Sequence, residues 1–272
     1  MPLGLLVLVA FIQGITEFLP VSSSGHLVLL PLVSGYAYQG QTIDVAAHVG
    51  TLLAVLIYLR REVLAISIAW LGFGRRDPVN GWLGLMLVVA TIPVIIAGYL
   101  VNYATLDWLD LVQTLAVANL FFAGLLWLAD RQLPHRDTLD HMHLRHAVII
   151  GLAQICALVP GTSRSGITIT AARFLGFDRV TSARFSLLLS LPVIAGAGLL
   201  KTKDLVEAGD MALGVDALLV VALSAGLALL AIRWMMQWLA KASFTIFVYY
   251  RLVLGGLLLV LLATGAINPD LV

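Results

Sequence analysis

The sequence predicts an all-α integral membrane protein, built from six transmembrane helices and two re-entrant helical hairpins arranged as an inverted-topology repeat. Three observations predict it. The 272 residues are 61% hydrophobic and only 11% charged, whereas a soluble domain averages about 45–50% apolar and about 25% charged. Six apolar segments reach or approach the ~20 residues that cross a ~30 Å hydrocarbon core. Two further apolar regions are each cut in the middle by Pro, Gly, Ser and an ionisable residue. The chain, 1–272, reads as a single transmembrane domain, with one repeat over about 1–130 and the other over about 145–265.

The six segments are Asp44–Leu59, Trp82–Val101, Leu111–Ala129, Ser182–Leu200, Val215–Trp238 and Phe247–Thr264. The interrupted regions are Leu3–Val33 and Ala147–Leu175, whose second arms, Leu27–Val33 and Ile167–Leu175, are short. Non-helical backbone at membrane depth survives only where protein or a watery cavity satisfies its polar groups. Each region is therefore expected to enter and leave on the same side.

Charge tests that topology. Every Lys and Arg outside the breaks then falls on one face, save Lys201 and Lys203 on the other. Positively charged loops stay in the cytoplasm, so the rich face is cytoplasmic and both termini lie opposite it. The poor face takes Asp107, Asp110, Asp204, Glu207, Asp210, Asp216 and Asp270. Were the first interrupted region a single crossing, the basic loops would be split between faces.

The two breaks also resemble each other. Gln13 followed by Phe18-Leu19-Pro20-Val21-Ser22-Ser23-Ser24-Gly25 matches Gln154 followed by Leu158-Val159-Pro160-Gly161-Thr162-Ser163-Arg164-Ser165-Gly166, with one residue inserted. Three spans follow each copy. An odd number of spans between copies forces opposite orientation, and inverted repeats place their site near the bilayer midplane.

Other features exclude functions. A net charge of +1 gives no reason to expect a nucleic-acid partner. The single cysteine, Cys156, excludes an intrachain disulfide and a Cys-based zinc site. No Lys or Arg precedes Arg60, so the first apolar run lacks a signal peptide's basic flank and is expected to belong to the fold. His135, His141, His143 and His146 fit no zinc spacing and read as part of a solvated loop. His48, on an apolar span near Asp44, reads as structural. The remaining aromatic residues read as packing surface or interfacial belt.

The breaks carry the chemistry. Glu17 interrupts a bilayer-length apolar run, where an ionised side chain costs roughly 2.5–3.5 kcal/mol on insertion scales. It needs a proton, a cation or an opposite charge. Gln13 lies one helical turn before it, on the same face. Ser22, Ser23 or Ser24 could cap the helix that begins at Leu27, leaving N–H groups aimed into the break, a geometry that binds anions. Gly166 and its following helix would do the same from the second hairpin. Arg164 would add a bidentate fork for phosphate. A divalent metal between Glu17 and phosphate oxygens would satisfy both. Glu17 and Arg164 could also be a structural ion pair, and His26 a packing residue.

The motif Gln13…Glu17-Phe-Leu-Pro-Val-Ser-Ser-Ser-Gly-His26 resembles the (Glu/Gln)-x-x-x-Glu motif, with trailing Ser and His, of the undecaprenyl-diphosphate phosphatase family of the bacitracin-resistance type. Pro160-Gly161-Thr162-Ser163-Arg164-Ser165-Gly166-Ile167-Thr168 resembles that family's Pro-Gly-x-Ser-Arg-Ser-x-x-Thr motif. The similarity covers nearly the whole chain, including Ala183-Arg184-Phe185-Ser186. Many members carry Glu where this chain has Gln13, which leaves one carboxylate fewer for a metal.

The resemblance implies an inner-membrane enzyme that removes the terminal phosphate of undecaprenyl diphosphate, recycling the lipid carrier for cell-wall synthesis and conferring bacitracin resistance. Its site would open towards the outside. The implied partners are the polyprenyl diphosphate lipid and the bilayer, and a homodimer is compatible with this reading. The expected roles are catalysis by Glu17, Ser23, His26 and Arg164, and phosphate binding by Ser22, Ser24, Gly161, Ser163, Ser165, Gly166 and Thr168. Glu17 and Gln13 would hold Mg2+ or Ca2+. Ser23 is the favoured nucleophile, over His26 or water, with His26 or Glu17 taking its proton. A different lipid-phosphatase class would place a histidine at position 170, which is Thr170. The remaining alternative is a transporter or flippase of polyprenyl phosphates, since inverted repeats with broken helices are shared with transporters.

Overall fold

The computed structural model describes the backbone of residues 1–36, 39–72, 77–101, 103–104, 106, 109, 111–131, 138–208 and 211–268. Within the helices, the side chains of residues 24, 28, 32–33, 197–208 and 211–212 lie outside that description. Arg75, Arg76, Asp107, Asp110, His135, Arg136, Asp210 and Asp270 are outside the described residues, as are the side chains of Ser24, Lys201, Lys203, Asp204 and Glu207.

The first interrupted region forms α1 (Leu3–Thr16) and α2 (Ser23–Ser34), joined by a turn containing Pro20. At 1.5 Å per residue these arms are about 21 and 18 Å long, too short to cross a ~30 Å core. Leu27 and Leu30 of α2 pack with Leu5, Leu6 and Val9 of α1, so the arms fold back on each other. There follow α3 (Gln41–Tyr58), α4 (Arg60–Leu71), α5 (Pro78–Val101) and α6 (Val112–Arg131). The second interrupted region forms α7 (Leu144–Gln154), a 3-10 turn (Ile155–Leu158) and α8 (Arg164–Phe174). The chain then runs through α9 (Arg179–Ala208), α10 (Met211–Leu239) and α11 (Thr245–Ala263).

Five described helices are long and apolar enough to cross a bilayer: Gln41–Tyr58, Pro78–Val101, Val112–Arg131, Leu213–Leu239 and Thr245–Ala263. Their outward faces carry side chains such as Ile95, Leu218, Leu230 and Val253, all more than half exposed. An all-helical protein with such faces is a multi-pass membrane protein. The expected segment Ser182–Leu200 is helical throughout, inside α9.

Two features depart from the sequence reading. The stretch after Arg60, outside the six expected segments, is a helix. α4 has too few residues to span, yet it packs on α5 and turns Leu64, Ile68 and Leu71 outward. His143 and His146 form a helix cap, in which His146 is buried while His143 stays exposed. They form a capping box at the start of α7, and the His146 ring meets Phe177 edge-on at 5.2 Å.

Close approaches set the packing. α1 and α3 lie along α10, while α7 lies along α5 and α6 along α11. A Cβ on Gly50 would come within 2.4 Å of the Val221 carbonyl oxygen, and one on Gly151 within 2.7 Å of that of Ala90. Small residues let membrane helices approach this closely. At the end where α6 stops, buried Asp130 accepts from Arg179 Nε at 2.7 Å and from the Phe244 N–H at 3.0 Å, and pairs with Arg173 at 3.2 Å. This carboxylate ties together α6, α8, the start of α9 and the approach to α11. Arg184 and Glu62 pair at the same end. At the other end the N-terminal amine meets Asp216 at 2.6 Å.

Candidate active site

The site lies where the two hairpin turns meet. α1 ends one residue before Glu17, whose N–H still bonds the Gln13 carbonyl at 3.0 Å. The carboxylate therefore projects from a helix end one turn above Gln13. Glu17 Oε2 accepts from Gln13 Nε2 at 2.8 Å and from the Ser23 hydroxyl at 2.6 Å. Glu17 Oε1 accepts from Arg164 Nη2, so the acid of the first turn meets the guanidinium of the second. The Arg164 guanidinium also lies 5.9 Å from the centre of the Phe18 ring. Both Gln13 and Glu17 are buried.

The two turns are built alike. Ser22 precedes α2 with φ 72°, and Ser163 precedes α8 with φ 71°; among the described residues they are the non-glycine residues with positive φ. A left-handed conformation costs an L-residue roughly 1–2 kcal/mol, and such strain collects at functional sites. The caps differ. Ser163 Oγ accepts from the Gly166 N–H at 3.1 Å, whereas Ser22 makes no side-chain cap to α2. The first-turn N–H groups of α2 thus keep the anion-binding capacity of a helix N-terminus. Ser22 Oγ itself is buried without a hydrogen-bond partner among the described residues.

Several expected phosphate ligands have other work. Ser165 donates to the Leu19 carbonyl at 3.0 Å, pinning one turn to the other. Its hydroxyl is 3.1 Å from that of Ser163. Thr168 bonds the Arg164 carbonyl at 2.9 Å and the Ser186 hydroxyl at 2.8 Å, anchoring α8 to α9. Gly161, at φ 90°, sits where a Cβ would come 2.2 Å from the Leu115 carbonyl oxygen. Gly166 gives its N–H to Ser163 and faces Arg251, whose Nη1 a Cβ would approach to 2.9 Å. These residues shape the second turn. His26 is likewise turned from Ser23: Nδ1 is 2.7 Å from the Ser22 carbonyl oxygen, and Nε2 bonds the Tyr250 hydroxyl. The Ser23 hydroxyl hydrogen bond therefore goes to Glu17, not to His26.

Three residues of the site were not found from sequence. His48 was read as structural, but its Nε2 lies 3.7 Å from Glu17 Oε2. Tyr250 stacks on His26 with ring centres 5.6 Å apart. Arg251 was assigned to the cytoplasmic face, but it is wholly buried in α11. Its Nη2 donates to the Gly161 and Thr162 carbonyls at 2.8 and 2.9 Å, and its Nε to Asn119 Oδ1 at 2.7 Å. An arginine with no facing acid in the sequence could have signalled this. No local pattern announces the other two.

A metal or cofactor would meet Glu17 first. The Gln13 amide oxygen is buried without a partner among the described residues. One carboxylate and one amide oxygen suit a hard cation that draws its other ligands from water and phosphate. Among the described residues no group of three or more His, Cys, Asp and Glu is placed to hold a metal.

Comparison with known proteins agrees in extent. Proteins named undecaprenyl-diphosphatase from Dinoroseobacter shibae and Maricaulis maris are each 47% identical to this chain. The first match covers 94% of this chain and 97% of the relative, the second 96% and 99%. One from Alteromonas mediterranea is 44% identical over 93% of this chain and 96% of its own length. The model of the family described as bacitracin resistance protein BacA matches residues 6–257, a span that holds both turns. The chain belongs to the bacitracin resistance protein BacA family.

Proposed function

We propose that the chain hydrolyses the terminal phosphoanhydride of undecaprenyl diphosphate, giving undecaprenyl phosphate and inorganic phosphate. One observation carries this: Glu17 and Arg164 meet between two helix-breaking turns inside a membrane protein. Arg164 takes the diphosphate through its fork, exchanging the Glu17 carboxylate for phosphate oxygens. The N–H groups at the start of α2, with Ser22 and Ser24 beside them, receive the terminal phosphate. Ser23 Oγ attacks the phosphorus, the bridging P–O bond breaks, and Glu17 takes the hydroxyl proton. Water then releases phosphate from Ser23. His26, held by Ser22 and Tyr250, keeps the start of α2 in place. Mg2+ or Ca2+ would be held by Glu17 and Gln13 and, when bound, would neutralise phosphate charge. Catalysis is then mainly positioning and charge stabilisation.

The same reading proposes six crossings and two re-entrant hairpins related by an inverted repeat, about 1–130 and 145–265. The matched serine turns support it, as does the pairing of α1 with α10 and of α7 with α5. In this arrangement the site opens to the outer side of the inner membrane, where the enzyme recycles the lipid carrier and confers bacitracin resistance. A homodimer is compatible with this reading.

The test is phosphate release by purified protein in detergent, with lipid diphosphates of several chain lengths and with or without divalent metal. Release that depends on Glu17 and Arg164 is expected. Polyprenyl phosphate movement in sealed vesicles, with no release in detergent, would instead support a transporter.

A further inference from the structure

We propose that Nε2 of His48 is a nitrogen ligand of the divalent cation at Glu17, with the Gln13 amide oxygen completing the protein's share. The inference rests on the phosphatase reading and extends it to the make-up of the metal site.

The tautomer of His48 is set by its own helix. Nδ1 lies 2.7 Å from the Asp44 carbonyl oxygen, which can only accept, so Nδ1 carries the hydrogen. In the neutral ring Nε2 is then a lone pair. This arrangement, one ring nitrogen donating to a backbone carbonyl and the other left basic, is the usual second-shell support of a metal-bound histidine. The lone pair faces Glu17 Oε2 at 3.7 Å. That is too long for a hydrogen bond, and it leaves room for a shared cation between the two atoms. Neighbouring ligands of one divalent cation stand roughly 3.0–3.5 Å apart, given metal–ligand distances of about 2.1–2.5 Å. A small side-chain adjustment reaches that range.

Gln13 supplies an independent sign. It is fully buried, its Nε2 is bonded to Glu17 Oε2, and its Oε1 has no partner among the described residues. Half a turn of the amide exchanges Oε1 for Nε2 beside Glu17. An oxygen against a carboxylate is unfavourable unless a cation lies with them. His48 would thus make up for the carboxylate missing at position 13. It would also move preference from the oxygen-seeking Ca2+ towards ions better suited to imidazole, such as Fe2+, Ni2+ or Zn2+.

The probe is Mn2+ alone, bound to the purified full chain in detergent and read by pulsed electron paramagnetic resonance. Coupling to an imidazole nitrogen is expected, and is lost in His48→Asn. Asparagine keeps an N–H near the position of Nδ1, so the bond to Asp44 and the fold survive. Mn2+ affinity should fall by on the order of 10–100-fold, the cost of losing even a supporting partner. Glu17→Gln should abolish binding, which locates the signal at this site. Mn2+ bound in a Glu17-dependent way without nitrogen coupling, or with coupling that persists in His48→Asn, would overturn the assignment of His48. Such a result leaves phosphate release intact; failure of the phosphatase reading instead shows as no release with any metal.

Discussion

Glu17 receives hydrogen bonds from three side chains, on residues 13, 23 and 164. Such donors and the Arg164 charge offset the cost of placing a carboxylate at membrane depth. Glu17 can also accept the Ser23 proton, because that hydroxyl already points at it. Substituting Glu17→Gln should lower phosphate release by roughly 10²–10⁴-fold, the usual worth of a general base, with a native chromatographic profile. Arg164→Lys is not conservative here, since an ammonium lacks the bidentate fork. A fall of about 10²–10³-fold is expected by analogy with loss of one charge-stabilising donor. Near-native turnover of Arg164→Lys would refute the clamp. The nucleophile is checked by rapid quenching with substrate radiolabelled at the terminal phosphate. Label on Ser23 is expected; label on His26, or on no residue, refutes the serine route.

At the scale of elements, the second turn is held from behind. Arg251 takes three acceptors from two different elements, and Gly161 lets the turn lie against α6. Arg251→Met should leave two backbone carbonyls and one amide oxygen unpaired, at about 1–3 kcal/mol each. Lower thermal stability in detergent and lost activity should appear together. Gly161→Ala adds a methyl that meets Leu115 backbone and strains the positive φ, so it should be at least as damaging. A stable, active Gly161→Ala protein would show that the turn does not need this approach. In the first turn the Ser22 carbonyl is held instead by the His26 ring of its own helix, and among the described residues no arginine braces it from behind.

For the whole molecule, the two ends of the bundle are chemically unlike. One end is locked by Asp130 with Arg173 and Arg179, the other lightly by the N-terminal amine and Asp216. Removing one partner of a buried ion pair typically costs about 3–5 kcal/mol. Asp130→Leu should therefore lower the melting temperature in detergent markedly, although residue 130 lies outside the site. Orientation is checked by labelling single cysteines in a Cys156→Ser background. An impermeant maleimide should reach Asp216→Cys from outside intact cells, and Asp140→Cys only after the membrane is opened.

The sequence by itself determined the membrane setting, the two broken regions, and the need of Glu17 for a partner, which the structure supplies in Arg164. Each follows from the cost of unsatisfied polar groups and charges in lipid, which holds whatever the packing. It also showed that the two breaks resemble each other, and Ser22 and Ser163 share a positive φ. Only the tertiary structure decided which polar side chains face the site. His48 on α3 and both Tyr250 and Arg251 on α11 are far from the breaks in sequence, and their direction depends on how those helices are rotated in the bundle. The same rotation turned Ser165 and Thr168 into ties between elements. Spacing along a chain reports which residues share a helix face; what that face meets is set by close approaches at glycines such as Gly50 and Gly161, which join segments far apart in sequence.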